Sequence, residues 1–256
     1  MTDQPETDQQ ELTLIDHLLE LRSRVLRALV AVVAVIILLI PFARPLYSLF
    51  SAPLVSRLPE GSSMIAIDVA SPFFAPFKLV MVLGLLLAMP FVLYQLWAFV
   101  APGLYRHEQR LAKPLLAASL VLFYAGCAFA YFVVFPVIFT FFTAMAPEGI
   151  AVMTDINRYL DFILVLFLAF GLSFQVPIVI IVLVALGLVS PDGLGKARPY
   201  VIVGAFTVAM LVTPPDIISQ TLLAVPVLLL YEAGIRLSRL LVKQGDESNS
   251  GEVLKR

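Results

Sequence analysis

Long apolar runs dominate this sequence and decide what it can fold into. A helix that crosses a bilayer needs about 20 mostly apolar residues, and several runs here approach or exceed that length. With 61% hydrophobic and 14% charged residues, the chain lies far from the composition of soluble domains. We therefore predict an all-α integral membrane protein. The runs predict six transmembrane helices, at about 25–43, 73–100, 114–143, 159–189, 199–212 and 217–235.

The lengths of these runs predict departures from straight spanning helices. The second, third and fourth runs contain Pro90, Pro136 and Pro177, and each has about 30 residues, so we expect tilt or kinks. The fifth run, at about 14 residues, would reach only about 21 Å, short of the roughly 30 Å hydrocarbon core. It ends where two prolines interrupt the helix, in the TPPD sequence of residues 213–216. Either the membrane thins at the last two helices or the pair is re-entrant.

Basic residues predict the orientation of the chain. Most of the 17 lysines and arginines lie near the two ends of the chain and in the connections at 101–113 and 190–198. By the positive-inside rule, both termini are cytoplasmic. We expect disordered tails at 1–12 and 241–256 around a membrane domain at 13–240. The acidic first residues are not those of a cleavable secretory signal.

The sequence lacks the motifs of enzymes and of cofactor-binding proteins. HExxH, GxSxG and phosphate-binding glycine loops do not occur, and no predicted span contains a pair of carboxylates. Cys127 is the sole cysteine, and His17 and His107 are too isolated for a metal site. We expect no catalytic residue, no metal, no cofactor and no nucleic-acid partner.

The segment DHLLELRSRVLRAL, residues 16–29, leads into the first apolar run as an amphipathic helix. Glu20, Arg24 and Arg27 share its polar face. In the simplest interpretation the arginines anchor the topology and Glu20 pairs with Arg24, for about 0.2–0.5 kcal/mol. The connection APGLYRHEQRLAKP repeats the pattern, since Glu108 is its only acid. Two such carboxylates at headgroup level would alternatively bind a cationic peptide.

Gln175 lies in the middle of the fourth run, two residues before Pro177. An amide in hydrocarbon is costly unless it is hydrogen-bonded, so it should face protein or a water-filled cavity. It either satisfies backbone groups that the proline frees or has a functional role. The sequence leaves both open.

Six separated blocks of the sequence carry a family resemblance. They are HLLELRSRVLRAL at 17–29, SAPL at 51–54, IDVASPFFAPFKL at 67–79, YQLWAFVAPGLYRHE at 94–108, CAFAYFVVFP at 127–136 and TPPDIISQTLLAVP at 213–226. In this order they closely resemble the TatC family, the multispanning core subunits of the twin-arginine protein translocase. The resemblance runs from about Leu12 to Leu240.

The resemblance implies a six-span, cup-shaped protein of the bacterial inner membrane, with both termini in the cytoplasm and two short final helices. It implies a receptor for signal peptides with paired arginines. Such a receptor acts with TatA and TatB, which are single-span partners, to move folded proteins across the membrane using the proton-motive force. Self-association within a larger complex, surrounded by lipid, is implied as well.

Individual positions also match the family. By this resemblance the arginines of the signal peptide meet Glu20 and Glu108, and Arg22 and Phe99 match other positions linked to recognition. Some members carry a glutamate inside the fourth span where this chain has Gln175, so the resemblance does not extend to a mechanism that needs a titratable carboxylate at this depth. The other matched positions are Pro53 and Asp216 and, for partner docking, Met210, Thr213 and Gln220.

Two other classes of protein compete with this interpretation. A secondary transporter of small solutes needs several polar groups at the bilayer midplane, where only Gln175 clearly lies. A structural scaffold for other subunits fits every predicted span. It differs only in that its cytoplasmic acids bind no peptide.

Overall fold

The computed structural model describes residues 6–55, 65–101, 112–145, 155–212 and 216–253, and they are helical apart from short connections. Within these residues, one isolated backbone bridge pairs Ile65 with Asp155. The all-α prediction is confirmed. The helices are α1 (Glu6–Leu39), α2 (Ala43–Val55), α3 (Ser71–Val100), α4 (Ala112–Phe129), α5 (Phe135–Ala144), α6 (Ile156–Ser173), α7 (Val176–Ala185), α8 (Pro191–Lys196), α9 (Arg198–Val212) and α10 (Ile217–Val253).

Several of these helices have the length and hydropathy of membrane spans. Among the described residues, five stretches qualify: His17–Ser51, Ser71–Val100, Ala112–Phe141, Ile156–Ala185 and Ile217–Leu240. The remaining apolar helix, α9, has 15 residues and is therefore about 22 Å long. The count of six spans, the orientation and the division into tails and membrane domain stay predictions.

Side-chain caps set where several helices begin. Asp155 accepts hydrogen bonds from two backbone N–H groups of α6, Ser190 from one of α8 and Asp216 from one of α10. These N–H groups have no partner within their own helix, so each cap replaces a hydrogen bond that water would otherwise supply. Asp216 thus starts the helix that follows the TPPD sequence.

The prolines inside the long runs have different effects. α3 continues through Pro90. A π-helical turn, Ala130–Val134, separates α4 from α5 just before Pro136, and the chain breaks between α6 and α7 at Gln175, just before Pro177. A 3-10 turn, Ile40–Phe42, likewise joins α1 to α2, so helical structure extends to Val55, beyond the predicted end of the first span.

Pairs of helices form the core. α1 packs against α3, α4 against α6, and both α7 and α9 against α10. Phe123 and Phe170 are fully buried where α4 meets α6. The two helices approach closely there because Gly126 and Gly171 lack a Cβ. A Cβ at Gly126 would lie 2.5 Å from the Phe170 carbonyl oxygen, and one at Gly171 would lie 2.7 Å from the Phe123 ring.

Candidate functional site

Glu20 and Arg24 form a half-buried ion pair on α1. Arg24 donates from Nε and Nη2 to one carboxylate oxygen, Glu20 Oε1, at 2.8 and 2.5 Å. The Arg24 side chain is 21% exposed and that of Glu20 39%. Within the described part of the chain, no hydrogen bond reaches Glu20 Oε2. The pair that the simplest interpretation predicts is therefore present, and one oxygen of the carboxylate is left open.

Phe99 joins the end of α3 to the N-terminal part of α1. Its ring stacks on His17, with the ring centroids 4.3 Å apart and the planes at 19°. Residues three apart share a helix face, so this contact lies beside Glu20. Arg22 is exposed on α1 and does not join this contact. From the sequence, His17 was considered only as a possible metal ligand, and its stacking on Phe99 was not predicted.

A small pocket lies between α1 and α3 beside these residues. Its volume is about 120 Å³, and its walls are Leu21, Arg24, Val25 and Ala28 of α1 and Val92, Gln95, Leu96 and Phe99 of α3. Gln95 is 6% exposed, and its Oε1 accepts no hydrogen bond from any described residue. The sequence analysis missed Gln95, although an amide within an apolar run is the same signal that identified Gln175.

Glu108, the second predicted acid, lies outside the described residues. That it lies near Glu20 therefore stays a prediction. Ala101, the last described residue before it, directly follows α3, and the pocket lies at that same end of α3. The connection that carries Glu108 thus leaves α3 next to the pocket.

Gln175 bridges the break between α6 and α7 to the neighbouring helix α4. Ser119 donates from Oγ to Gln175 Oε1 at 2.7 Å, and Gln175 donates from Nε2 to the Ser119 carbonyl oxygen at 2.9 Å. Ser119 is fully buried. The amide therefore bonds a partner on another helix, rather than the backbone group that Pro177 frees. The expectation that Gln175 faces protein agrees with this geometry.

The residues matched to partner docking lie on α9 and α10 or between them. Gln220 donates from Nε2 to the Phe206 carbonyl oxygen at 3.0 Å, which ties α10 to α9. Met210 is 57% exposed on α9, and Thr213 lies outside the described residues. Of the two other matched positions, Asp216 caps α10, whereas Pro53 belongs to α2 and its side chain lies outside what the structure describes.

Polar contacts also join the starts of α3 and α6. Lys78 donates to Asp161 at 2.6 Å, across 83 residues of chain, so the sequence could not pair them. Asp155 accepts from the backbone N–H groups of Arg158, Ile67 and Asn157, and these bonds, led by that from Arg158, hold the pKa of its carboxyl below the usual range. In the described chain, no group of three His, Cys, Asp or Glu side chains is placed to hold a metal.

Comparison with known proteins agrees with the helical fold and with the matched blocks. A family model described as "Sec-independent protein translocase protein (TatC)" matches residues 16–226. The chain is 57% identical over 235 residues to the Sec-independent protein translocase protein TatC of Azotobacter chroococcum mcd 1, covering 92% of each chain. It is 56% identical over 232 residues to that of Escherichia coli (strain K12), covering 91% of this chain and 90% of the relative.

A solved structure shares the fold as well. The protein described as "Crystal Structure of Twin Arginine Translocase Receptor- TatC" is 36% identical to this chain and superposes with a TM-score of 0.79. The match covers 88% of this chain and 98% of that one. The chain is accordingly a multi-pass membrane protein and a transport protein rather than an enzyme. It belongs to the TatC family of Sec-independent protein translocase subunits.

Proposed function

We propose that this chain is the receptor of a twin-arginine translocase and binds signal peptides that carry paired arginines. The observation that carries the proposal is the carboxylate of Glu20. Its Oε1 pairs with Arg24, which lines the α1–α3 pocket, and its Oε2 receives no hydrogen bond from the described residues. The word "receptor" in the description of the similar solved structure agrees with it.

The chemistry of arginine favours two separate acids. A guanidinium is planar, permanently charged and suited to pairing with a carboxylate through two hydrogen bonds. Two adjacent arginines therefore call for two carboxylates, and Glu20 and Glu108 supply one each in this proposal. A fully exposed ion pair is worth about 0–1 kcal/mol, whereas a partly desolvated one is worth several. With its side chain 39% exposed, Glu20 lies between these limits.

The rest of the proposed machinery is supported by the resemblance to the family. In this proposal the chain lies in the bacterial inner membrane with six spans and both termini in the cytoplasm. It acts in one complex with TatA and TatB type subunits and further copies of itself, and the proton-motive force drives the transport of folded cargo. Met210, exposed on α9, together with Thr213 and Gln220, belongs to the docking region for the single-span partners.

Crosslinking of a signal peptide tests the two acids. A photoreactive group next to the arginine pair should crosslink to the chain, and Glu20→Ala and Glu108→Ala should each weaken the yield by about tenfold, since each removes a charged hydrogen-bond acceptor. The double variant should lose the crosslink. Unchanged crosslinking in the double variant, at a normal protein level in the membrane, would contradict the proposal.

Changing the peptide separates the competing classes. Co-purification of a precursor that is lost when its arginine pair becomes a lysine pair supports the receptor. A scaffold would retain or lack the precursor regardless of this change. A solute transporter is disfavoured because Gln175, the polar residue predicted at the midplane, already bonds Ser119.

A further inference from the structure

The pocket between α1 and α3 contains a hydrogen-bond acceptor that lacks a donor. Gln95 is buried, and its Oε1 receives no hydrogen bond from the described residues. Most buried polar atoms in folded proteins are paired, and an unpaired one costs free energy. The walls around it are apolar apart from one side chain, that of Arg24. Among the other residues that line the pocket, Arg24 is therefore the one whose side chain can donate a hydrogen bond.

Arg24 is engaged elsewhere, by Glu20. It directs Nε and Nη2 to Glu20 Oε1, and its guanidinium has further N–H donors to offer. The Arg24 side chain thus lines the pocket that contains Gln95, whose Oε1 is a neutral acceptor, and at the same time pairs with the carboxylate of Glu20. Two acceptors compete for one cation.

The arrival of a peptide arginine would change this balance. Two guanidinium groups on one carboxylate repel each other, and the repulsion is stronger where water is partly excluded. Arg24 must then share Glu20 or leave it. Gln95 Oε1 offers a bond to a departing Arg24 within the same pocket, so that its charge is not left without an acceptor.

We propose that Arg24 is a resident competitor for Glu20, and that Gln95 is the acceptor that receives Arg24 when a guanidinium of the signal peptide takes its place. This inference rests on the proposed function, in which Glu20 binds a peptide arginine. It makes Arg24 and Gln95 specificity-determining residues. A lysine ammonium is a point charge without the planar fork of a guanidinium, so it displaces Arg24 poorly, and selection for arginine follows from the competition.

Removing the competitor should strengthen binding and weaken discrimination. With Arg24→Gln, a twin-arginine peptide should bind about two- to fivefold more tightly, which is the worth of a partly exposed ion pair. The advantage of an arginine pair over a lysine pair should shrink by a similar factor. Arg27→Gln is the matched control, because it removes the same charge one turn further along α1 from a side chain with no ion pair to Glu20. It should change neither quantity.

Removing the receiving acceptor should have the opposite effect, and only while Arg24 is present. Gln95→Leu should weaken binding by about three- to tenfold, because the displaced Arg24 finds no hydrogen bond in the pocket. In the Arg24→Gln background the same change should have little effect. Gln95→Glu, which keeps an acceptor, should preserve tight binding.

The experiment measures binding of a labelled signal peptide, in twin-arginine and twin-lysine forms, to the full-length chain with its partner subunits in solubilised membranes. Signals are normalised to the amount of folded chain. Tighter binding by Arg24→Gln and dependence of the Gln95→Leu effect on Arg24 support the inference. Weaker binding by Arg24→Gln, or an equal Gln95→Leu effect in both backgrounds, overturns it.

A further variant, Glu20→Gln, separates this inference from the proposed function. If Glu20→Gln loses binding but the effect of Gln95→Leu does not depend on Arg24, only the proposed competition is contradicted. Normal binding in Glu20→Gln sinks the receptor site and the competition together.

Discussion

Gln175 and Ser119 form two hydrogen bonds with each other where the fourth predicted span is broken. The hydroxyl of Ser119 donates to the amide oxygen and the amide nitrogen donates to the Ser119 carbonyl, at 2.7 and 2.9 Å. A primary amide suits this place because it accepts and donates while remaining neutral. The break between α6 and α7 is thereby fastened to α4 without a buried charge.

Gln175→Leu should therefore impair transport more than insertion. It leaves the Ser119 hydroxyl without its acceptor and should lower the free energy of unfolding by about 0.5–2 kcal/mol, the range for hydrogen bonds between membrane helices. We expect a slower rate of export of a folded reporter at a near-normal level of the chain in the membrane. Both quantities are measured in the same cells.

Ser119→Ala is the companion to this variant. It removes the hydroxyl but keeps the backbone carbonyl that accepts from Gln175, so its effect should be about half as large. If Gln175→Leu exports the reporter at the normal rate, Gln175 is a packing residue only.

For single residues, the sequence predicts that a side chain needs a hydrogen-bond partner, but not which residue that partner is. An amide in an apolar run signals that Gln175 must be hydrogen-bonded. Ser119 is 56 residues away, and a serine in a span is too common to stand out. The pairing of Lys78 with Asp161 could not be predicted either, because the two residues are 83 positions apart. The pairing of Glu20 with Arg24 could be predicted because residues four apart on a helix are neighbours.

Among the helices, the close contact between α4 and α6 depends on glycine. A Cβ at Gly126 would lie 2.5 Å from a backbone oxygen, that of Phe170, and 2.9 Å from its carbonyl carbon. A backbone atom cannot rotate away as the end of a side chain can. The two helices would have to separate to admit even a methyl group.

Gly126→Ala should thus lower the free energy of unfolding by about 1–3 kcal/mol, the usual cost of overpacking a core. Gly204→Ala is the matched control on α9, since a Cβ there meets nothing within 4 Å. Alanine is the better helix former, so this variant should be neutral or more stable by up to about 1 kcal/mol. Thermal unfolding of the solubilised chain compares the two. Equal melting temperatures would contradict the tight α4–α6 contact.

Helix starts were easier to predict than interruptions. The TPPD sequence predicts a break followed by a turn or a helix start at Asp216, because prolines stop one helix and an aspartate favours a turn or a cap; the structure has the helix start. The π-helical turn at Ala130–Val134 has no comparable local signal. A π turn depends on how neighbouring helices pack, and Pro136 alone would equally fit a simple kink.

In the whole molecule, the short helix α9 and the start of α10 are compatible with two arrangements in the membrane. α9 has 15 residues and is shorter than the roughly 30 Å hydrocarbon core by about 8 Å. Gln220 donates to the Phe206 carbonyl oxygen, and α9 packs against α10, so the two helices form one packed pair. Either the bilayer thins around the pair, and residues 213–215 reach the outer surface, or the pair turns within the membrane.

Labelling of single cysteines decides between these arrangements. Cys127 is first replaced by alanine, which removes the weak hydrogen bond of its sulfur to the Phe167 carbonyl oxygen, 3.7 Å away, and part of its packing against the core. Cysteine is then introduced at Thr213 or at Asp192, whose side chain is 88% exposed on α8. In intact cells a membrane-impermeant thiol reagent should modify Thr213→Cys but not Asp192→Cys, which should react only after permeabilisation.

This result would place the two ends of α9 on opposite sides of a locally thin membrane, with Asp192 in the cytoplasm as the basic residues predict. Protection of both positions in intact cells, with Thr213→Cys still unreactive after permeabilisation, would show a re-entrant pair instead. The termini would remain on one side in either case, because a pair of spans and a re-entrant pair both return the chain to the side from which it entered.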